Sequence, residues 1–186
     1  EVPEDKKGGY SFEQLVEKDL NISATFTDVH TISEFTDSVI DEIKNAQDIK
    51  VKLAGDVTLG VALPLAKGTT EYDLDGHTIT STLNGMLRDA NTDTSTFGNK
   101  SVTLKNGKII SNYDKGTVNV IDSSYLAAFT LDGVTVSNNS ISTVNPITGI
   151  YCSSTTETKI LNSTINIKGS SNLGAYGIGT NILDGE

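Results

Sequence analysis

Residues 72–81 read YDLDGHTITS, and the reading of this stretch decides the fold. Two aspartates, a histidine and a glycine within a few positions could be a piece of an active site or a piece of a turn. The rest of the chain settles which, because the stretch recurs. LDGHTI begins at Leu74, LKNGKI at Leu104, LDGVTV at Leu131 and ILNSTI at Ile160, at intervals of 30, 27 and 29 residues. Each hexad opens on an aliphatic residue (Leu74, Leu104, Leu131, Ile160) and closes on a β-branched one (Ile79, Ile109, Val136, Ile165). Between these lie Asp75-Gly76, Asn106-Gly107 and Asp132-Gly133. Asn and Asp tolerate positive φ and Gly adopts it freely, so the chain turns a corner there.

A second strand set keeps the same interval. GIYCSS starts at Gly149 and GIGTNI at Gly177, 28 residues on, and VNVIDSS from Val118 fills the equivalent slot before them. The strands before the corner alternate: Tyr72 and Leu74 face one way, Glu71, Asp73 and Asp75 the other. Val102/Leu104 and Phe129/Leu131 repeat the pattern, and Ile165/Ile167 continue it after the corner. One such repeat cannot bury its own apolar face. Stacked copies can, each strand pairing in parallel with its counterpart about 4.8 Å away. The period therefore predicts a parallel β-solenoid, with loops of variable length taking up the uneven intervals. A leucine-rich repeat would need a helix in every repeat, and a β-sandwich would not need strands at this period.

Ahead of the repeats, residues 31–46 read TISEFTDSVIDEIKNA. Ile32, Phe35, Val39 and Ile43 fall on one helical face with Ile40 beside them, and Thr31-x-x-Glu34 has the form of a capping box. The expectation is an amphipathic helix of about four turns, within a segment 31–48 that covers the end of the solenoid. His30 is expected as its cap or linker. IKVKLAGDVTLG follows at once, with Val51, Leu53, Val57 and Leu59 as the first coil. Residues 1–30 form a separate, partly mobile segment with a polar start and apolar positions from Phe12 to Phe26. Residues 49–186 hold the coils, and the final GAYGIGTNILDGE reads as breaking off within a strand set, as in a fragment of a longer protein.

The chain has 186 residues, 14 Lys+Arg against 24 Asp+Glu, and a net charge of −10. Such an acidic surface repels phosphate backbones and anionic membranes, so nucleic acid is not an expected partner. No apolar run reaches the roughly 18 residues of a membrane span. The single cysteine, Cys152, excludes an internal disulfide and a CxxC metal site and is expected as a small buried side chain. With no Trp and 6% aromatic residues, the core must be aliphatic. Few cysteines with abundant Ser, Thr, Asn and Gly fit a secreted bacterial surface protein.

The run from Thr31 through IKVKLAGDVTLG to YDLDGHTITS, with SVTLKNGKIIS and AFTLDGVTVSNNS after it, resembles the opening coils of right-handed parallel β-helix proteins of the pectin lyase-like group. The resemblance covers about residues 31–182. It implies a right-handed β-helix and one of several roles, since the fold hosts pectate lyases, polygalacturonases, phage tailspikes and surface adhesins. In low aromatic content, abundant Thr and Asn and acidity, this chain is most similar to the adhesins. Hydrolysis of polygalacturonate in that group uses an NTD tripeptide, an Asp-Asp pair, a Gly-His-Gly and an Arg-Ile-Lys. Only Asn91-Thr92-Asp93 matches. His77 is followed by Thr78, and it occupies the corner position that Gly107, Val134 and Ser163 fill in the other copies. Lyase chemistry would need a basic cluster, and Arg88 stands near Asp89 and Asp93 without one.

These readings assign no catalytic residue and no cofactor. Glu71, Asp73 and Asp75 share one outer strand face, as a solvated charged face or as oxygen ligands for a metal such as Ca²⁺. The candidate binding residues lie in loops 83–100, 112–117 and 138–148 and among the exposed aromatics: Arg88, Asp89, Asp93, Tyr113, Tyr125 and Tyr151. The function expected is a non-catalytic, extracellular module at the bacterial cell surface that binds a host or matrix glycan or protein. The other readings are a polysaccharide lyase or hydrolase fragment and a structural spacer.

Overall fold

A computed structural model describes residues 29–88, 98–115, 118–139, 146–169 and 174–180. The readings made for 1–28 and for the last six residues lie outside them. The strands are β1 (Val29–Ile32), β2 (Ile49–Leu53), β3 (Val57–Leu59), β4 (Thr69–Asp73), β5 (Thr78–Ser81), β6 (Ser101–Ser111), β7 (Val118–Asp122), β8 (Ala128–Asn138), β9 (Ile147–Tyr151), β10 (Glu157–Leu161), β11 (Thr164–Asn166) and β12 (Ala175–Gly179), with helix α1 (Asp37–Asn45) after β1. Every pairing given for these strands is parallel. They form a parallel β-solenoid of about three turns. A nine-stranded sheet bends through the corners, and β7, β9 and β12 make a separate three-stranded sheet.

The corner sets this geometry. β6 and β8 each run 11 residues through it, so that β4 and β5 pair with the two halves of β6, and β10 and β11 with the two halves of β8. In the three later corners one residue takes the left-handed conformation: Asn106 at φ 58°, Gly133 at 65° and Asn162 at 50°. Short polar side chains and glycine are the residues that adopt it at least cost. The asparagines also bond back to the preceding rung. Asn106 Nδ2 donates to Asp73 at 3.1 Å and Asn162 Nδ2 to Asp132 at 2.9 Å.

The copies align as the hexads predict on the second side of the corner, where Ile79, Ile109, Val136 and Ile165 stack in register. On the first side the alignment differs. The residue level with Leu104, Leu131 and Ile160 is Tyr72, not Leu74. The first corner holds two extra residues, turned by Asp75 at φ 49° and Gly76 at φ 86°. Leu74, fully buried, fills the space inside this wider bend. The bend presses on the rung above: a Cβ on Gly107 would lie 2.5 Å from both the His77 carbonyl oxygen and the Leu74 Cβ. Glycine at 107 is therefore a packing requirement. In the next rung the level position holds Val134, which is buried over the tighter corner at Asn106.

Inward rows of Val51, Tyr72, Leu104, Leu131 and of Val57, Ile79, Ile109, Val136 make a core that is aliphatic apart from a few aromatic residues such as Tyr72, each residue of these rows between 0% and 6% exposed. Burying a side chain of this size stabilises by about 1.5–3 kcal/mol. Phe129 is wholly buried, and Tyr72 sends its hydroxyl to the Pro64 carbonyl at 2.5 Å. Outward, Lys105 Nζ lies 2.8 Å from Glu71 and 3.6 Å from Asp73, and Lys52 Nζ lies 3.0 Å from Asp75. The acidic face of β4 is thus threaded with lysines from adjacent rungs. Burial pushes the Asp73 carboxyl up, but the Asn106 hydrogen bond, the Asp75 amide and the charges of Lys105 and Lys52 hold it below its ordinary range.

The helix begins later than the capping-box reading placed it. Thr36, not Thr31, is the N-cap, its side chain accepting from the Val39 amide, and the nine-residue helix makes about two and a half turns. Thr31 is drawn into β1, which pairs residue by residue with β2, so strand pairing begins before the helix. His30 belongs to the same strand, and its Nδ1 lies 2.9 Å from Glu42 on the helix. Ile43 is buried, and Phe35, Val39 and Ala46 pack on the core beside it. No described helix is long and apolar enough to cross a membrane.

Candidate binding cleft

The outer face of the three-stranded sheet forms the floor of a cleft of about 630 Å³. β7 and β9 turn apolar residues inward, with Ile121 and Ile150 buried and level with one another, while Ile178 of β12 stands level with them and is 50% exposed. Asn119, Thr148 and Tyr176 stand in one row across the three strands. Asp122 and Tyr151 form part of a second row three residues further along. All five line the cleft.

One wall comes from the segment that precedes β6. Asn84 Oδ1 accepts from the Asn119 amide at 2.7 Å, and the Gly85 and Met86 amides donate to the Asn119 and Val120 carbonyls. This fastens the segment along β7. Gly85 sits at φ 70°, and a Cβ there would lie 2.6 Å from the Asp122 Cβ. The turn it opens closes with the Arg88 amide on the Gly85 carbonyl at 2.9 Å. That places Arg88 Nη1 3.7 Å from Asp122 Oδ2. Asp122 also accepts from the Ser124 amide at 3.0 Å, so the carboxylate is held at both ends.

The other wall is the corner after β7. Tyr125 lies there at φ 68°, and Ser154 follows at φ 56° in the next copy. A non-glycine residue in this region costs about 1–2 kcal/mol. The Tyr125 amide is anchored to the Ser153 carbonyl at 2.9 Å. Its ring is 39% exposed and carries the Arg88 guanidinium 5.6 Å from its centroid. Tyr176, on the far side of the floor, is 54% exposed.

Of the residues singled out in the sequence, Arg88, Tyr125 and Tyr151 meet in this cleft. Tyr113 does not line it; it follows β6, with its amide on Ser111 Oγ. Asp89 and Asp93, and with them the NTD tripeptide, lie outside the described residues. Glu71, Asp73 and Asp75 lie on β4 and the corner after it, with the lysine partners already given. Among the described residues no cluster of three or more His, Cys, Asp or Glu is placed to hold a metal ion. His77 stands at its corner, Nδ1 3.6 Å from Asp56.

Asn84 and Thr148 fall within the candidate loops 83–100 and 138–148, while sequence reasoning missed Asn119, Asp122 and Tyr176. The signal was present in the outward-facing positions of VNVID, ITGIY and AYGIG. Cys152, expected as buried, is half-buried just after β9, with Sγ 3.7 Å from the Gly179 carbonyl. Burial pushes its thiol above the ordinary range, a hydrogen bond with Thr158 pulls the other way, and the Asp122 charge adds to the rise.

What the arrangement offers is recognition by side chains. The backbone groups of the floor are engaged in strand pairing, while amide, hydroxyl, carboxylate and guanidinium groups stand beside exposed rings. Carboxylate-driven glycoside hydrolysis uses two acids facing each other; among the described lining residues Asp122 is the one carboxylate, and it is paired with Arg88. No family model, curated protein or solved structure matches the chain.

Proposed function

We propose that this chain is a non-catalytic binding module of an extracellular protein at the bacterial cell surface, serving adhesion or ligand display. In this reading it is a right-handed parallel β-helix of the pectin lyase-like kind, with α1 as its N-terminal cap. Parallel β crossovers are overwhelmingly right-handed, which favours that hand. The buried Ile43 and the contacts of Phe35 and Val39 suit a cap.

The observation that carries the binding reading is the convergence of Arg88, Tyr125, Tyr151 and Tyr176 on one open cleft. Tyr125 adds weight, because its backbone conformation is one that Gly or Asn would adopt more cheaply. Strained backbone gathers at functional sites. The test is an array of immobilised glycans and matrix proteins, run beside a turnover assay on polygalacturonate. Saturable capture without turnover supports the module. Turnover would replace it with a polysaccharide lyase or hydrolase, and silence in both assays with a structural spacer.

A further inference from the structure

Resting on that binding reading, we infer that the cleft takes a neutral oligosaccharide of about two or three sugar units. Charge is the first argument. Among the described lining residues the two charged side chains, Arg88 and Asp122, lie 3.7 Å apart, and the guanidinium also faces the Tyr125 ring. Each has a partner already, so the described lining residues present no unpaired charge to an ionic ligand. The chain as a whole, at −10, repels anions.

The shape and chemistry of the floor are the second argument. Neighbouring strands are about 4.8 Å apart and three residues along a strand span about 10 Å. The Asn119–Thr148–Tyr176 and Asp122–Tyr151 rows thus cover an area on the scale of two pyranose rings. The volume of about 630 Å³ lies inside the range of small-ligand pockets. A pyranose has C–H faces that lie against aromatic rings and a rim of hydroxyls that need both donors and acceptors. Tyr125 and Tyr176 offer exposed rings, and Asn119, Thr148 and Asp122 offer mixed hydrogen-bonding groups. Three of the six tyrosines of a Trp-free chain stand around this one cleft.

The experiment uses the whole chain on an array holding neutral oligosaccharides (cello-, malto- and galacto-oligosaccharides), acidic ones (sialyllactose, trigalacturonate) and matrix proteins. Calorimetry on the strongest neutral hit follows at low and high salt. The expected result is neutral-glycan binding whose affinity changes less than about twofold with salt, since no net charge is screened. Tyr176→Ala and Tyr151→Phe should weaken it, Tyr176→Ala by about tenfold. Tyr176 is exposed on an outer strand, so its removal leaves the fold intact. Tyr113→Ala, away from the cleft, should bind as the parent does. Binding confined to acidic glycans, or to matrix proteins, overturns the neutral-oligosaccharide inference and leaves the binding module standing. Neutral binding unchanged in both Tyr176→Ala and Tyr151→Phe removes the cleft as its site. Silence across the whole array brings down both readings.

Discussion

Replacing Gly107 by alanine tests the corner geometry on which the register rests. The added methyl would sit 2.5 Å from the His77 carbonyl oxygen and 2.5 Å from the Leu74 Cβ, where ordinary contact begins near 3.4 Å. Both obstacles are fixed to the backbone of the preceding rung, so neither can rotate aside. Relief requires the two rungs to part by about 1 Å, which stretches the Lys108 amide bond to His77, now 3.0 Å. Overpacking of this kind costs about 1–3 kcal/mol, and a weakened hydrogen bond about 0.5–1.5 kcal/mol. The loss of unfolded-state entropy returns about 0.4–1 kcal/mol. The net destabilisation is about 2 kcal/mol, or a fall in Tm of about 4–8 °C for a chain this long. Gly55→Ala is the matched control, because a Cβ there meets nothing within 4 Å. Thermal and urea unfolding followed by circular dichroism would compare the two. If Gly107→Ala melted within 1 °C of Gly55→Ala, the wide corner beneath Gly107 would be wrong, and with it the level pairing of Tyr72 with Leu104.

Other perturbations probe the core, the outer face and the cleft. Phe129→Ala should lose about 3–5 kcal/mol in urea titration, since the ring is wholly buried between neighbouring rungs. Tyr72→Phe removes the hydroxyl bonded to Pro64 and should lose about 1–2 kcal/mol with the backbone fold unchanged. Asp73 has a folded pKa below its unfolded value of about 3.9. Its contribution is therefore complete above that value and is lost as pH falls through the folded one. Melting curves from about pH 6 down to about pH 2 should show a smaller loss for Asp73→Asn than for the parent. Tyr125→Asn should hold stability within about 1 kcal/mol, because relief of the left-handed tyrosine offsets the lost Arg88 contact; a larger drop would mean that the ring supports the corner itself.

The sequence carried the period because a solenoid repeats its inward positions, and Ile79, Ile109, Val136 and Ile165 are such a row. It misled at Leu74 because an apolar residue inside a wide corner has the same pattern as one on a strand. Only the neighbouring rung, through Gly107, distinguishes them. The helix start was misplaced for a similar reason. Thr31 and Glu34 satisfy the local rule for a cap, but pairing of Val29–Ile32 with β2 overrides it. Arg88, Tyr125 and Tyr151 could be named as exposed, chemistry-bearing residues, yet nothing local to them says that they meet. Their juxtaposition is made by the stacking, and Asn119, Thr148 and Tyr176 become visible as a row only once strand register is known.

The stacking also bears on how the chain folds. Paired strands are separated by 21 residues between β2 and β4, up to 32 between β4 and β6, and 27 between β6 and β8. Loop-closure entropy grows only with the logarithm of length, so the widest of these gaps costs about 0.4 kcal/mol more than the narrowest. No pairing is then favoured as a nucleus by its position in the chain. Contact area decides, and β6 with β8 has the longest ladder, broken only at the Asn106–Gly133 corner, and a fully buried interior. Structure would start on that central pair and spread outward, each finished rung serving as the template for its neighbour. Amide protons of Leu104, Ile109, Leu131 and Val136 would exchange last, and those of β1 and β12 first.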